Sequence, residues 1–275
     1  MPRRIEPPVS AVPDAAVSHG CFETMRAYQG RIFRLDAHLD RLYASAAFLG
    51  TRAPADRGRL GRQLVSALAR SGLGEAVVRV ALLPRPDEEA RPSIVVQPAI
   101  APSAAAYRRG LRVAVVPARK FSVGSITPQA KYSARLGSVL AVADAQLRNA
   151  DEALFMDALG GVTESTASNL GIAARGELVT PPCWLGLLAG ITREALLDLG
   201  PAVGLPVREA PLTRHDLYTA DEVFLMSTLK EFIAVTRVDG RRIGTGRPGP
   251  VTGALRAAFR ALVRRELGLG AGRAG

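Results

Sequence analysis

The order in which strand-like and helix-like segments follow one another is the feature that most constrains how this chain can fold. Short alternating or wholly apolar runs predict strands, and apolar positions three and four residues apart predict helices. Both kinds of segment are present, but they do not alternate strictly, which favours an α+β fold over a doubly wound parallel sheet. With 275 residues the chain can bury a full core in one large unit or two smaller ones.

The first third of the chain predicts a small α+β unit. Two strand-like runs flank Gln29-Gly30 in CFETMRAYQGRIFRLD, which predicts a hairpin. Asp36 is expected to cap a helix with an apolar side, and a second helix is expected over about 56–71. Strands are then predicted at AVVRVALLP, PSIVVQPA and LRVAVVP.

The rest of the chain predicts a larger unit. It opens with a helix from about Ser133 to Arg148, followed by the buried strand EALFMD and a hairpin around Arg175-Gly176. Further strands are predicted at DEVFLMS and IAVTRVDGRRIG before a terminal amphipathic helix. We therefore expect two domains, over residues 1–117 and 130–275, joined by the aperiodic linker 118–129.

Composition narrows the class of protein. A content of 48% hydrophobic and 22% charged residues is typical of a globular protein. Cys21 and Cys183 lie far apart and the three histidines do not cluster, so we expect neither a disulfide framework nor a metal site. The N-terminal MPRRIEPPVS lacks an apolar segment behind it, and the longest apolar runs are too short to cross a bilayer. These features predict a cytoplasmic protein without membrane contact.

The formal net charge of +11 raises the alternative of a nucleic-acid-binding protein. However, the arginines are spread along the chain, aromatic residues make up only 5%, and there is no helix-turn-helix, zinc-finger or RNA-binding motif. The densest basic stretch alternates with apolar residues at helical spacing, which predicts the solvated face of the terminal helix. That stretch contains Arg256, Arg260, Arg264 and Arg265. We expect no nucleic-acid partner.

The scarcity of lysine is more informative than the charge. Of 36 basic residues, only Lys120, Lys131 and Lys230 are lysines. Chance can produce this bias, but imine chemistry needs an amine that can lose its proton, and a guanidinium cannot.

The stretch LLAGITREALLDLG, residues 187–200, predicts a helix that begins near Gly190 and Thr192. Thr192 is expected to be the N-cap, and Gly190 lets another group approach the backbone closely. Free amides at a helix start can bind an anion, although an ordinary loop-to-helix junction gives the same pattern. Glu164 in GGVTESTASNLG and the Ser227-Thr228 pair in FLMSTLKE are equally common features when each is taken alone.

Taken together, these segments resemble the class IV (fold-type IV) pyridoxal-phosphate enzymes. That family contains branched-chain aminotransferases, D-amino-acid aminotransferases and aminodeoxychorismate lyases. The resemblance extends over nearly the whole chain, through FETMRAYQGRIFRLDAHLDRLYASAAFL, DEALFMDALGGVTESTASNL, LVTPP, LAGITRE, ADEVFLMSTLKE and VDGRRIG. It implies pyridoxal 5'-phosphate as cofactor, a two-domain α+β fold with the cofactor between the domains, and a homodimer.

The resemblance also implies roles for individual residues. Lys131 would form the imine (Schiff base), Glu164 would pair with the pyridine nitrogen, and Arg41 would reach the phosphate. Amides and hydroxyls would complete the phosphate site, at Ile191, Thr192, Ser227 and Thr228. Ser168 and Asn169 either line the same pocket or form a turn at the entry to a strand. Lys120 lies in the predicted linker, and Lys230, with Glu231 beside it, is expected to be solvated.

The subgroup is harder to assign. Branched-chain enzymes place a tyrosine five residues after the lysine, where this chain has Leu136, and the arginine-histidine pair of D-amino-acid enzymes is matched only by Arg85. The substrate carboxylate could dock on the amides of Thr228 and Leu229, with Arg79 or Arg85 as a charged alternative. We predict an aminotransferase acting on an amino acid and a 2-oxo acid, branched-chain-like or D-amino-acid-like. The alternative within the family is aminodeoxychorismate lyase, which forms 4-aminobenzoate and pyruvate.

Overall fold

A computed structural model describes residues 20–85, 87–119, 129–133 and 136–270 of the chain. Its strands are β1 Cys21–Tyr28, β2 Arg31–Ile32, β3 Ala76–Arg85, β4 Glu88–Pro98, β5 Leu111–Arg119, β6 Glu152–Met156, β7 Val162–Ser165, β8 Asn169–Ala174, β9 Glu177–Thr180, β10 Val207–Glu209, β11 Glu222–Ser227, β12 Glu231–Val238 and β13 Arg241–Arg242. Its helices are α1 Leu35–Phe48, α2 Arg57–Ser71, α3 Ala104–Arg109, α4 Leu136–Leu147, α5 Ile191–Leu199, α6 Arg214–Thr219 and α7 Pro250–Leu267, with short 3-10 turns at Cys183–Leu185 and Pro201–Val203.

The first sheet is antiparallel, with strand order β2-β1-β3-β4. The predicted β1–β2 hairpin is confirmed: Gln29 and Gly30 have φ angles of 48° and 75°, as a two-residue turn between twisted strands requires. Helices α1 and α2 share one apolar core with this sheet, and Leu42 and Leu64 are fully buried in it. Asp36 does not cap α1, because the helix begins one residue earlier, with Arg34 at the N-cap.

The second sheet contains nine strands of the described chain, in the order β10-β9-β8-β11-β12-β5-β6-β7 with β13 beside β12. Strand β7 also pairs with β8 at Glu164 and Asn169, so six of the strands form a closed ring. Strand β5 runs parallel to β6 and β12, whereas β11 is antiparallel to both of its neighbours. This mixture of pairings confirms the α+β prediction.

Strand β5 lies in the second sheet, although the sequence places it in the first unit. Val113 and Val115 belong to the core that also contains Leu154, while Ala114 and Val116 face Ala141 of helix α4. An apolar run buried on both faces is typical of an interior strand with parallel neighbours. The residues before and after β5 do not show which strands it pairs with. The first sheet therefore ends with β4. Residues 120–128, most of the predicted linker, lie outside the described residues.

The remaining predicted elements follow in the expected order, and the short helices α3 and α6 are additional to them. The hairpin at Arg175-Gly176 joins β8 to β9, and the helix predicted from about Ser133 is described from Leu136, because residues 134 and 135 lie outside the described residues. Within the described part of the chain, no helix is both long enough and apolar enough to cross a membrane.

Candidate active site

The segment from Leu188 to Thr192, which leads into helix α5, contacts three of the predicted site residues. Leu188 donates its backbone N–H to Glu164 Oε2 at 3.1 Å. Arg41 donates from Nη1 to the carbonyl of Ala189 at 2.6 Å. Three positions far apart in sequence therefore meet at one loop.

The third contact explains why residue 190 is a glycine. The Asn169 side chain lies against Gly190, so that a Cβ at this position would overlap Asn169 Oδ1. Asn169 also donates from Nδ2 to Glu164 Oε2 at 3.1 Å and to the carbonyl of Leu188 at 2.9 Å. The close approach predicted at Gly190 is confirmed, and the approaching group is the amide that holds Glu164.

The free backbone N–H groups at the start of helix α5 can bind an anion. Its N-cap is Gly190, which has no side chain to bond the first-turn N–H groups, and Thr192 is the second residue of the helix rather than its cap. The N-terminal end of a helix dipole is positive, and Arg41 contacts the residue just before it. This set of donors suits a phosphate dianion.

Arg41 is held by buried Glu23, which buried His38 contacts in turn, and the sequence patterns singled out neither residue. Glu23 accepts from Arg41 Nε at 2.6 Å and Nη2 at 2.8 Å, and His38 donates from Nδ1 to the same carboxylate at 2.8 Å. Burial opposes ionisation of Glu23, but Arg41 and the His38 hydrogen bond outweigh it and hold the Glu23 pKa well below its ordinary value. Burial lowers the pKa of His38, against the opposing effect of the Glu23 carboxylate. The available signal was the spacing of His38 and Arg41, three residues apart on one helix face.

Lys131 is fixed through its backbone to the first sheet and helix α1. Its N–H donates to Ser45 Oγ at 2.9 Å, and its carbonyl accepts from Phe22 N at 3.0 Å. Its Nζ lies 5.1 Å from the centroid of the Phe22 ring, and its charge helps to lower the Glu23 pKa. The amine is therefore on the same side of the molecule as Arg41.

Tyr132 connects Lys131 to the other part of the site. It pairs with Cys21 across an isolated β-bridge, and burial together with the nearby Glu164 carboxylate raises its pKa. Glu164 itself is buried. The adjacent residues Lys131 and Tyr132 thus interact electrostatically with Glu23 and with Glu164, respectively.

The β11–β12 turn borders the same region. Met226 pairs with Asn169, so Ser227, Thr228 and Leu229 follow directly beside the β7–β8 loop, and all three are half-buried. Ser168 accepts a hydrogen bond from Lys230 Nζ at 3.0 Å.

The prediction that Lys230 is solvated is wrong. Its side chain is only 21% exposed and its Nζ lies 2.5 Å from Glu152 Oε2. The acidic partner stands 78 residues earlier in the chain, so no local pattern reveals it.

The two arginines predicted as substrate contacts differ in their surroundings. The Arg79 guanidinium lies over the Phe22 ring at 4.4 Å, and Lys131 Nζ lies over the same ring. Arg85 is exposed and pairs with Glu88 at 2.6 Å. Of the two arginines, therefore, only Arg79 contacts a ring that Lys131 also contacts, that of Phe22.

The chain belongs to the amino-transferase class IV family, whose model matches residues 20–238. It is 35% identical over 248 residues to a putative branched-chain-amino-acid aminotransferase of Methanocaldococcus jannaschii, covering 88% of this chain and 86% of that relative. It is 32% identical over 259 residues to a D-alanine aminotransferase of Listeria monocytogenes, covering 90% and 88%. The structure matches the branched-chain amino acid aminotransferase of Thermobaculum terrenum in its PLP-bound holo form at a TM-score of 0.83, with 26% identity and 93% and 87% coverage.

Membership of this family defines the chemistry. Class IV aminotransferases are pyridoxal-phosphate-dependent enzymes, and this chain is an aminotransferase that moves an amino group between an amino acid and a 2-oxo acid. The relatives named above are transferases, which does not favour the lyase alternative.

Proposed function

We propose that the reaction takes place around the Leu188–Thr192 segment, with an aliphatic amino acid as the donor. The observation that carries the proposal is the meeting of Arg41, Glu164 and Asn169 at this segment. Both branched-chain amino acids and D-alanine are aliphatic, and the similarity to branched-chain enzymes makes L-valine, L-leucine and L-isoleucine the first donors to test.

Pyridoxal phosphate fits the donors at this segment. Its phosphate would bind the amides of Ile191 and Thr192, the Arg41 guanidinium and the hydroxyls of Thr192 and Thr228, with Ser227 beside them. Glu23 accepts from Nε and Nη2 of Arg41, so the guanidinium is already oriented when the phosphate arrives. An anion held by helix amides and a fixed arginine does not require the protein to rearrange.

Glu164 would face the pyridine nitrogen. When bound, the cofactor supplies a ring that accepts electrons from the substrate α-carbon, and it does so best with its nitrogen protonated. Donors from Asn169 and Leu188 hold the buried carboxylate of Glu164 in one orientation. Its fixed negative charge then favours a proton on the ring nitrogen.

Lys131 would bind the cofactor through Nζ and then move the proton. A primary amine that alternates between neutral and charged forms can accept a proton at one carbon and deliver it to another. Because its backbone is tied to Ser45 and Phe22, only the side chain needs to move between these tasks.

The substrate carboxylate would dock on the amides of Thr228 and Leu229, with Arg79 as its charged partner. The donor and the 2-oxo acid bind in alternate halves of the reaction, so one carboxylate site serves both. Arg79 lies over the ring that Lys131 also contacts, which supports its choice over Arg85.

We also propose a homodimer formed through helix α4. This helix buries its small side chains and exposes its large apolar ones, the reverse of what a monomer would be expected to do. The small side chains of Ala141 and Ala145 are buried, while large apolar side chains point outward and are between 59 and 85% exposed. Those side chains are Leu136, Val139, Leu140 and Leu147. Leu136, Leu140 and Leu147 lie within about 40° of one another around the helix. An exposed stripe of this kind is typical of an interface.

The dimer is tested by sedimentation. Leu140→Glu should convert a dimer to a monomer, whereas the control Leu159→Glu, in the exposed turn between β6 and β7, should leave the dimer intact. A Leu140→Glu protein that sediments like the unchanged chain would rule out this interface.

A cytoplasmic location is proposed as well. Cys21 and Cys183 are free thiols in the structure, as expected in a reducing compartment. Cell fractionation with an antibody to the chain tests it, and recovery with secreted proteins would contradict it.

A panel of donors tests the proposed activity. Purified holoenzyme is mixed with L- and D-forms of aliphatic amino acids plus 2-oxoglutarate or pyruvate, and the new amino acid is measured. We expect transfer from L-branched-chain donors and its loss in Lys131→Ala. If aminodeoxychorismate gives pyruvate and 4-aminobenzoate while every amino acid fails, the enzyme is a lyase instead.

A further inference from the structure

The turn between β11 and β12 has an unusual residue at its end. Ser227 pairs with Glu231, so Thr228, Leu229 and Lys230 form a three-residue loop. Glu231, the first residue of β12, has a φ of 52°, in the left-handed region that residues other than glycine seldom adopt. A strained backbone with a charged side chain persists only where the surroundings hold it.

The Glu231 side chain is buried among cations. It is 1% exposed and accepts from Arg260 Nε at 2.8 Å, with Arg256 Nε and Arg26 Nη1 each at 3.5 Å. Tyr28 also donates to it at 3.4 Å. These partners come from helix α7 and from strand β1 of the first sheet. Arg256 and Arg260, predicted to be a solvated face, therefore converge on one buried carboxylate.

The preceding residue is held from a different side. Lys230 Nζ lies 2.5 Å from Glu152 on β6 and donates to Ser168 at 3.0 Å. Its backbone N–H donates to Ser227 Oγ at 3.3 Å, and its carbonyl accepts from Tyr107 at 2.9 Å. Two successive residues of opposite charge thus fasten the turn to separate parts of the molecule.

We propose that Lys230 and Glu231 are positioning residues that hold the amides of Thr228 and Leu229 in place for the substrate carboxylate. The inference rests on the proposed function, because it assumes that the turn binds that carboxylate. Neither residue is assigned a contact with the reacting atoms. Their effect should fall on substrate affinity, and equally on donor and 2-oxo acid, because both carboxylates use one turn.

Glu231→Gly separates the two possible roles of Glu231. Glycine removes the ion pairs but relieves the positive φ. If only the backbone shape matters, this variant should match the unchanged enzyme. If the anchor matters, KM for both substrates should rise about tenfold or more, since small misplacements of a binding group are costly. A purely structural defect would instead lower the active fraction, and hence kcat, without moving KM.

Three further variants complete the test. Lys230→Met removes the second anchor, and Lys230→Met combined with Glu152→Gln should be no worse than Lys230→Met alone. Glu177→Gln is the control, because it breaks an exposed ion pair with Arg208 away from the turn. Cofactor affinity, measured by fluorescence titration of each apoenzyme with pyridoxal phosphate, gives a readout that does not depend on turnover. Because Ser227 and Thr228 of the same turn are also proposed to contact the phosphate, we expect both anchor variants to bind the cofactor more weakly.

The outcomes distinguish the two proposals. If the unchanged enzyme transfers no amino group from any donor, the proposed function fails. If it is active but KM for both substrates and the cofactor affinity stay within about twofold in Glu231→Gly and Lys230→Met, the positioning role is wrong; twofold corresponds to a free-energy change too small for a lost anchor.

Discussion

Replacing Glu23 by glutamine should destabilise the apoenzyme more than the holoenzyme. In the absence of phosphate, Glu23 is the counter-charge of Arg41, with bonds of 2.6 and 2.8 Å in a fully buried position. Removing one partner of a buried pair costs about 3–5 kcal/mol, and because glutamine keeps an acceptor oxygen we take about 3 kcal/mol. For a protein of this size that is a fall in Tm of about 6–12 °C.

The bound phosphate changes this balance. It supplies Arg41 with a second anionic partner, so the fall should be smaller, about half, in the holoenzyme. Thermal unfolding followed by circular dichroism, with and without saturating pyridoxal phosphate, measures both values. Glu177→Gln, in an exposed pair, should change neither. A fall below about 2 °C in the apoenzyme, or equal falls in both forms, would refute the role given to Glu23 and Arg41.

Three more predictions follow from the site. Glu164→Gln should retain cofactor but lose most of kcat, because an amide cannot stabilise the protonated ring nitrogen, a loss on the order of a few kcal/mol; near-normal kcat at full occupancy would show that Glu164 has another role. Gly190→Ala should weaken cofactor binding in fluorescence titrations, because its Cβ displaces Asn169, and unchanged affinity would contradict that contact. Because the Glu23 pKa is lowered in the folded chain, the ionised Glu23 contributes stability that is fully present above the ordinary carboxyl pKa of about 4.3 and is lost as the pH falls below that value. The free energy of unfolding, measured with denaturant, should therefore depend less on pH between about 5 and 2 in Glu23→Gln than in the unchanged chain.

Local patterns in the sequence were sufficient for the two hairpins and the longer helices, whereas the short helices α3 and α6 were not predicted. The Gln29-Gly30 and Arg175-Gly176 hairpins and the two helices of the first unit lie where turn residues and apolar spacing put them. These features depend on neighbours within a few residues, so a single sequence contains their cause.

Contacts between residues far apart in the chain could not be predicted from such local patterns. Strand β5 belongs to the second sheet because it pairs with β6 and β12. Lys230 and Glu152 are 78 residues apart in the chain, and the partners of Glu231 come from helix α7 and strand β1. Glu23 and His38 were missed for the same reason, because the sequence does not show that β1 and α1 face each other. The resemblance to a known family supplied the candidate residues, and the structure adds which of them share the Leu188–Thr192 segment.

Lys131, beside the Arg41 and Glu164 contacts, is the residue that we expect to bind the cofactor. Reduction of the holoenzyme with borohydride followed by peptide mapping tests it most directly, because the reagent makes the bond between amine and cofactor permanent. We expect the pyridoxyl group on the peptide containing Lys131. Label on a peptide containing Lys120 or Lys230 instead would show that Lys131 is not the cofactor-binding lysine.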